Sequence, residues 1–221
     1  MVHEQPQTAD FLITHGLIVT FDQNETIIRD GAVAVSGTDI VGIGATAELL
    51  SRFRADAIID AADHIVMPGL INAHTHSPMT LFRGLSDDLE LGPWLERMRD
   101  AAQQIVRPET VTLGAELAYA EMLLSGTTTA LDMYFFPEIL AAVAERVGLR
   151  LITGPVFVAH EVSDHIPAQA RMACGREFMQ QYRDDPLVVP CVMPHSPHGV
   201  PVALLKQARQ LAEEFNSLLS I

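Results

Sequence analysis

Basic residues are scarce in this chain. Fourteen Lys and Arg stand against 28 Asp and Glu, a formal charge of −14 over 221 residues. With no basic stripe to offset it, such a surface repels phosphate backbones and anionic lipid, which excludes a nucleic-acid polymer and a membrane surface as partners. Cysteine is scarcer still. Cys174 and Cys191 are the only two, without CxxC or zinc-finger spacing, so neither a disulfide framework nor a structural zinc module is indicated and both read as small core residues. No apolar run approaches the roughly 18 to 20 residues that span a bilayer. The opening "MVHEQPQTAD" has neither the basic start nor the apolar core of a signal peptide, so the expected location is the cytoplasm. GxGxxG and GxxxxGK[ST] are also missing, which removes the usual support for a dinucleotide or P-loop site.

What remains is apolar enough to fold. At 48% hydrophobic residues, the chain can bury one sizeable core or two smaller ones. Residues 1–65 carry short β-rich runs, "FLITHGLIVTF", "AVAVSG", "DIVGIG" and "AIIDAADHIV". Within "SGTD", Gly37 and Asp39 predict a tight hairpin turn. This is read as one part of a small β-sandwich. From residue 66 onward the texture changes to apolar strands alternating with amphipathic helices, the pattern of parallel βα units. Strands are expected at the run ending with His76, at Thr127–Tyr134, Arg150–Phe157 and Leu187–Ser196, and a fifth begins at "LLSI", which ends on Ile221. Helices are expected over about 109–124, over 137–147, and where Leu204, Leu205, Ala208, Leu211, Ala212 and Phe215 share one face. Strands of this kind suit a doubly wound sheet or part of a (β/α)₈ barrel. Position favours the barrel, because His74, His76, Asp132 and His195 all fall at strand C-terminal ends, where barrels place their chemistry.

The stretch "MPGLINAHTH" carries the sharpest signal. In an extended strand side chains alternate faces, so His74 and His76 point the same way and Thr75 the other. Two imidazoles then converge on one point. Imidazole suits zinc and related transition metals, and a site that also holds a reactive water keeps a position open. An inward Asp132, at the end of the second strand with Tyr134 beyond it, is placed either to support these histidines by hydrogen bonding or to cap the loop that follows.

The segments "PGLINAHTHSPMTLFRGLSDDLELGPWL", "SGTTTALDMYFFPE" and "MPHSPHGV", in that order, resemble the amidohydrolase superfamily, closest to its 5-methylthioadenosine and S-adenosylhomocysteine deaminases and related aminohydrolases. The resemblance implies a (β/α)₈ TIM-type barrel with a small β-sandwich and one divalent metal, usually zinc, sometimes iron or manganese. The implied reaction is hydrolytic deamination of an aromatic heterocycle: a purine nucleoside such as methylthioadenosine, another purine, a pterin or a triazine. His74 and His76 would bind the metal, which lowers the pKa of its water toward about 7 and makes hydroxide available at neutral pH. Trp94 matches an aromatic that closes over substrate, and His195 a histidine that contacts it. Where nucleoside deaminases carry a Glu that grips ribose hydroxyls this chain has Gln103, a neutral amide that accepts less strongly than a carboxylate.

Two further departures bear on substrate. Where homocysteine-binding members place an Arg, the third strand reads "LITGPVF" with Gly154 nearby, and Arg171 is expected on the solvated surface. His198 replaces the Tyr of an "HSPYT" pattern. Both weigh against S-adenosylhomocysteine. A hydrolase of a cyclic amide or ring chloride on the same scaffold is a rival reading, because pocket residues choose the leaving group. Another is an inactive half-barrel that needs a complementary chain.

A complete barrel takes about 250 residues, so residues 66–221 are expected to form only the first half, truncated at the fifth strand. In the resembling family that strand delivers a further metal-binding His and then a proton-shuttling Glu, and the eighth delivers an Asp. The general acid and base, this Glu and Asp, are therefore expected beyond Ile221. The 221-residue chain is accordingly expected to be inactive alone, and to work as a homo-oligomer or with a complementary fragment.

Overall fold

A computed structural model describes residues 6–158 and 162–221, the side chains of Ala168 and Gln169 excepted. The chain divides into two compact units, one through Pro68 and one from Gly69.

The first unit is a single mixed sheet. β1 (Gln7–Val19), β2 (Ile27–Ser36) and β3 (Asp39–Ala45) are followed by a short helix, α1 (Thr46–Arg52), then β4 (Phe53–Asp60) and β5 (Ile65–Val66). The order is β3-β2-β1-β4, with β5 also on β1. β2 runs antiparallel to β1 and to β3, whereas β4 and β5 run parallel to β1. Ser36 pairs with Asp39 across a two-residue turn in which Gly37 takes φ +58°, a conformation glycine adopts without strain. The expected hairpin is therefore present. Ala9, Leu12, Ala32 and Ala34 on the strands bury themselves against Leu49 of α1 and Phe53. The sequence reading has no counterpart for α1, because a helix of seven residues is too short for a helical period to stand out.

The second unit begins with β6 (Leu70–Thr75), a 3-10 turn (Ser77–Phe82), α2 (Leu91–Ile105) and α3 (Pro108–Leu124). It continues through β7 (Thr127–Asp132), α4 (Pro137–Val147), β8 (Arg150–Thr153), β9 (Val156–Phe157), α5 (Ala168–Gln181), β10 (Val188–Pro194), α6 (Val202–Phe215) and β11 (Leu218–Leu219). The sheet runs β11-β10-β8-β7-β6, with β9 on β10, and the strand pairs are parallel. Each strand lies beside its predecessor. A doubly wound sheet reverses its strand order at a switch point, so this monotonic order is that of a half-barrel.

The fifth expected strand is shorter than its "LLSI" reading. Only Leu218 and Leu219 pair with β10, opposite Cys191 and Val192, and the Ser220 N–H adds one bond to the Val192 carbonyl at 3.0 Å. Ile221 corrects the expectation: it lies outside the strand and is 54% exposed.

Helices cover the outer face of the half-barrel sheet. Val111, Ala115 and Tyr119 of α3 and Leu140, Val143 and Ala144 of α4 pack with Ala130 and Leu151 from the strands. On the other face, Met133, Val156, Cys191 and Met193 make an apolar lining. Burial on both faces is why the central strands β8 and β10 read as continuous hydrophobic runs, whereas β6 at the edge leaves Leu70 and Ile71 exposed. The third expected strand is split into β8 and β9. A Cβ on Gly154 would fall 1.9 Å from the Cys191 carbonyl oxygen, and Pro155 has no N–H for the ladder, so pairing stops there and resumes at Val156. Gly114 lets the 3-10 turn seat on α3: a Cβ there would lie 2.7 Å from Pro78 Cα. Among the described residues no helix is long and apolar enough to cross a membrane.

Candidate functional site

β6 delivers the two histidines as strand alternation requires. The rings of His74 and His76 lie 5.0 Å apart, centre to centre, at 75°. A tetrahedral ion about 2.0–2.1 Å from one nitrogen of each ring, with about 1.2 Å more to each centre, sets the centres roughly 5 Å apart. The spacing therefore fits a shared metal. The strand itself stops at Thr75, one residue earlier than expected, because His76 turns the chain into the 3-10 turn with φ −126° and ψ 71°.

His76 is half-buried and its Nδ1 lies 2.5 Å from the Met133 carbonyl oxygen. A carbonyl only accepts, so Nδ1 carries the proton and Nε2 keeps the lone pair a metal needs. The same carbonyl makes the ring a better donor. His74 is more exposed, and its main-chain N–H donates to Asn72 Oδ1 at 3.3 Å.

Asp132, at the end of β7, is fully buried. It bonds neither imidazole and does not cap the loop that follows it. Its carboxylate instead accepts from the Ser77 N–H at 3.1 Å, from the Ser77 hydroxyl and from the Tyr119 hydroxyl at 2.8 Å. Its main-chain oxygen accepts from Thr153 Oγ1 at 2.8 Å. Burial pushes the Asp132 carboxyl up from the usual range, and the Ser77 and Tyr119 donors pull the other way. Burial and the neighbouring Asp132 charge push the Tyr119 hydroxyl well above its ordinary value, so it stays a donor. Burial raises Tyr134 as well. Sequence reasoning missed Ser77, Tyr119 and Met133: a main-chain carbonyl leaves no trace in residue identity, and Tyr119 lies on a helix where an aromatic reads as core.

The remaining expected residues are more dispersed. His195 follows β10 at the C-terminal end of the sheet and is exposed, its N–H donating to the Phe157 carbonyl at 3.0 Å. Trp94 is half-buried on α2 and Gln103 is exposed on the same helix. Nine positions along a continuous helix put them on opposite faces, so α2 does not bring the two together.

Arg171 is not on the solvated surface. Its side chain is 4% exposed and faces an equally buried Asp164, which it holds through two bonds of 2.9 and 2.6 Å. It also donates to the Val156 carbonyl at 3.3 Å. Pairing with Asp164 is what offsets the cost of burying the charge, and it commits the guanidinium to the protein's own carboxylate. Gly154, for its part, has no room for any side chain. Among the described residues no group of three or more His, Cys, Asp and Glu is placed to hold a metal, so His74 and His76 stand as a pair.

Residues 65–221 match the amidohydrolase family. The chain is 36% identical over 204 residues to a 5-methylthioadenosine/S-adenosylhomocysteine deaminase of Syntrophobacter fumaroxidans, an alignment covering 92% of this chain and 47% of that protein. The crystal structure of an adenosine deaminase from Xanthomonas campestris with bound zinc superposes with a TM-score of 0.92 at 36% identity, covering 97% of this chain and 49% of the other. An atrazine chlorohydrolase from Arthrobacter aurescens, complexed with zinc and atraton, superposes with a TM-score of 0.86 at 21% identity over 95% of this chain and 52% of its own, a likeness that concerns the fold alone. The chain thus spans about half the length of the proteins it matches. Its histidine pair, half-barrel and sequence matches agree: this chain belongs to the amidohydrolase family.

Proposed function

We propose that the protein takes part in metal-dependent hydrolytic deamination of an aromatic heterocycle, an adenine-type purine nucleoside such as 5-methylthioadenosine. The observation that carries this reading is the His74–His76 pair, 5.0 Å between ring centres, at the C-terminal end of a parallel strand. The similar adenosine deaminase with bound zinc supports it, as does the 5-methylthioadenosine/S-adenosylhomocysteine deaminase relative.

His74 and His76 would hold the metal, with the Met133 carbonyl fixing the ring of His76. A divalent ion there, zinc in our reading, supplies Lewis acidity and lowers the pKa of water. Trp94 and His195 are proposed to contact the heterocycle or its sugar. Gln103 joins them only if α2 bends on binding. Asp132 is committed to Ser77 and Tyr119 and does not serve as the proton carrier. A catalytic zinc takes three protein ligands and a water, so the pair needs at least one more ligand and a general base. We place these on polypeptide beyond Ile221, whether covalently continuous with it or supplied by a second chain.

Among nucleosides, the reading favours one without an amino-acid carboxylate. Near Gly154 no side chain fits, and Arg171 is already bound to Asp164. The test is ammonia release from 5-methylthioadenosine, adenosine and S-adenosylhomocysteine by the zinc-loaded protein, with the mass of every active species recorded. Release favouring the first two is expected. Turnover of S-adenosylhomocysteine alone would overturn the substrate reading, and activity in a sole species of 24.1 kDa would overturn the need for further polypeptide.

A further inference from the structure

We propose that Asp132 is a positioning residue for His76, acting through Ser77 rather than by touching the ring. The proposal rests on the reading of His76 as a metal ligand. It begins with the first N–H of the 3-10 turn. That group has no partner within the turn and requires a cap, and the residue in the capping position, His76, makes no side-chain capping bond. The cap comes from across the sheet, where Asp132 accepts both the Ser77 N–H at 3.1 Å and the Ser77 hydroxyl.

The residues on either side of His76 are thereby tied to β7 and its continuation. On one side, the Met133 N–H donates to the Thr75 carbonyl at 3.0 Å. On the other, Ser77 is held twice by Asp132. Between them His76 keeps φ −126° and ψ 71°, neither strand nor helix, and this fixes where its ring leaves the backbone. With the backbone held so, Nδ1 reaches the Met133 carbonyl at 2.5 Å and Nε2 remains the donor. Remove the hold on Ser77, and the turn after His76 loses its cap, the backbone relaxes, and the ring is released from Met133.

Tyr119 provides the internal control. Its hydroxyl bonds the same carboxylate at 2.8 Å, is as deeply buried and also meets the Ser77 hydroxyl, but the Ser77 N–H that needs the cap goes to Asp132 and not to Tyr119. The experiment compares Asp132→Asn, Ser77→Ala and Tyr119→Phe with the wild type by zinc titration and by nitrogen-15 NMR of the His76 ring. Supporting contacts of this kind change metal affinity by about 10- to 100-fold. We expect at least a tenfold weakening of zinc binding for Asp132→Asn and Ser77→Ala, with His76 exchanging between tautomers, whereas Tyr119→Phe retains the Nδ1–H tautomer and near-normal affinity. A merely structural role would move all three variants alike and would leave the tautomer unchanged. Should Asp132→Asn fail to fold, Ser77→Ala, which deletes one hydroxyl, decides. Unchanged affinity with an intact Nδ1–H tautomer in Ser77→Ala and Asp132→Asn would overturn the proposal. If the wild type binds no zinc, the metal reading fails separately, and the tautomer comparison still decides whether Asp132 positions the ring.

Discussion

Arg171 and Asp164 form a two-point ion pair, 2.9 and 2.6 Å, inside the protein. With each side chain 4% exposed, neither charge has water to fall back on. Removing one partner leaves the other buried and unpaired, at a cost of about 3–5 kcal/mol. Arg171→Ala and Asp164→Ala are therefore expected to lower stability by that order, read from urea unfolding. Arg171→Met with Asp164→Leu should recover most of the loss, because two apolar groups leave no unpaired charge. Full stability in either single variant would show that the pair opens to solvent.

The two cysteines should separate cleanly by reactivity. Cys191 is buried on β10 and its thiol is pushed up to about 12 by that burial, whereas Cys174 on α5 is exposed. The thiolate is the nucleophile, and a group with so high a pKa stays a thiol through pH 9. Iodoacetamide at pH 8.5 should add one carbamidomethyl group per native chain, located at Cys174 by peptide mass mapping, and none to Cys174→Ser. Rapid modification of Cys191 in the native protein would contradict its burial.

The parts of the fold written in the sequence are those governed by periodicity and by turn chemistry. Helix α4 over Pro137–Val147, the Gly37 turn and the facing of His74 and His76 all follow from rules of local geometry. What escaped depends on contacts made at a distance. Nothing near Arg171 announces that Asp164 will neutralise it, and the break at Gly154 becomes visible only when the Cys191 carbonyl lies where a Cβ would stand. The apolar run that ends on Ile221 reads as strand throughout, yet only Leu218 and Leu219 find partners on β10. Asp132 was legible as an inward carboxylate, but not its partner. Its carboxylate goes to Ser77 and Tyr119, and the adjacent Met133 carbonyl orients the ring of His76 in place of an acidic side chain.

The proposed substrate contacts give distinguishable kinetics. Trp94→Ala and His195→Ala should raise KM or lower kcat/KM about tenfold in active protein while bound metal stays near normal, the signature of lost substrate binding. Gln103→Ala is the discriminating variant. On the face of α2 opposite Trp94 it should change kcat/KM less than about twofold, and an effect as large as that of Trp94→Ala would show that α2 bends to bring both residues to one pocket. Loss of metal on His195→Ala would instead move that histidine into the coordination shell.

The two histidines of β6 should not be equivalent. Both rings are needed for the ion, so His74→Ala and His76→Ala are each expected to abolish stoichiometric zinc in elemental analysis of the active protein. Their difference lies in what each ring already has. The ring of His76 is half-buried and held on the Met133 carbonyl at 2.5 Å, so its nitrogen waits in place and little side-chain entropy is lost on coordination. His74 is more exposed, and Asn72 holds its main-chain N–H rather than its ring, so coordination must immobilise it. A ligand fixed in advance contributes more to affinity than one ordered on binding. Weak zinc binding should accordingly persist in His74→Ala, where the positioned ring remains, and fall further in His76→Ala. Chelator treatment of the wild type should remove zinc and activity together, and added zinc should restore both. Undiminished metal in either variant would remove that histidine from the site, and tighter binding by His76→Ala than by His74→Ala would show that the Met133 contact does not prepare the ring.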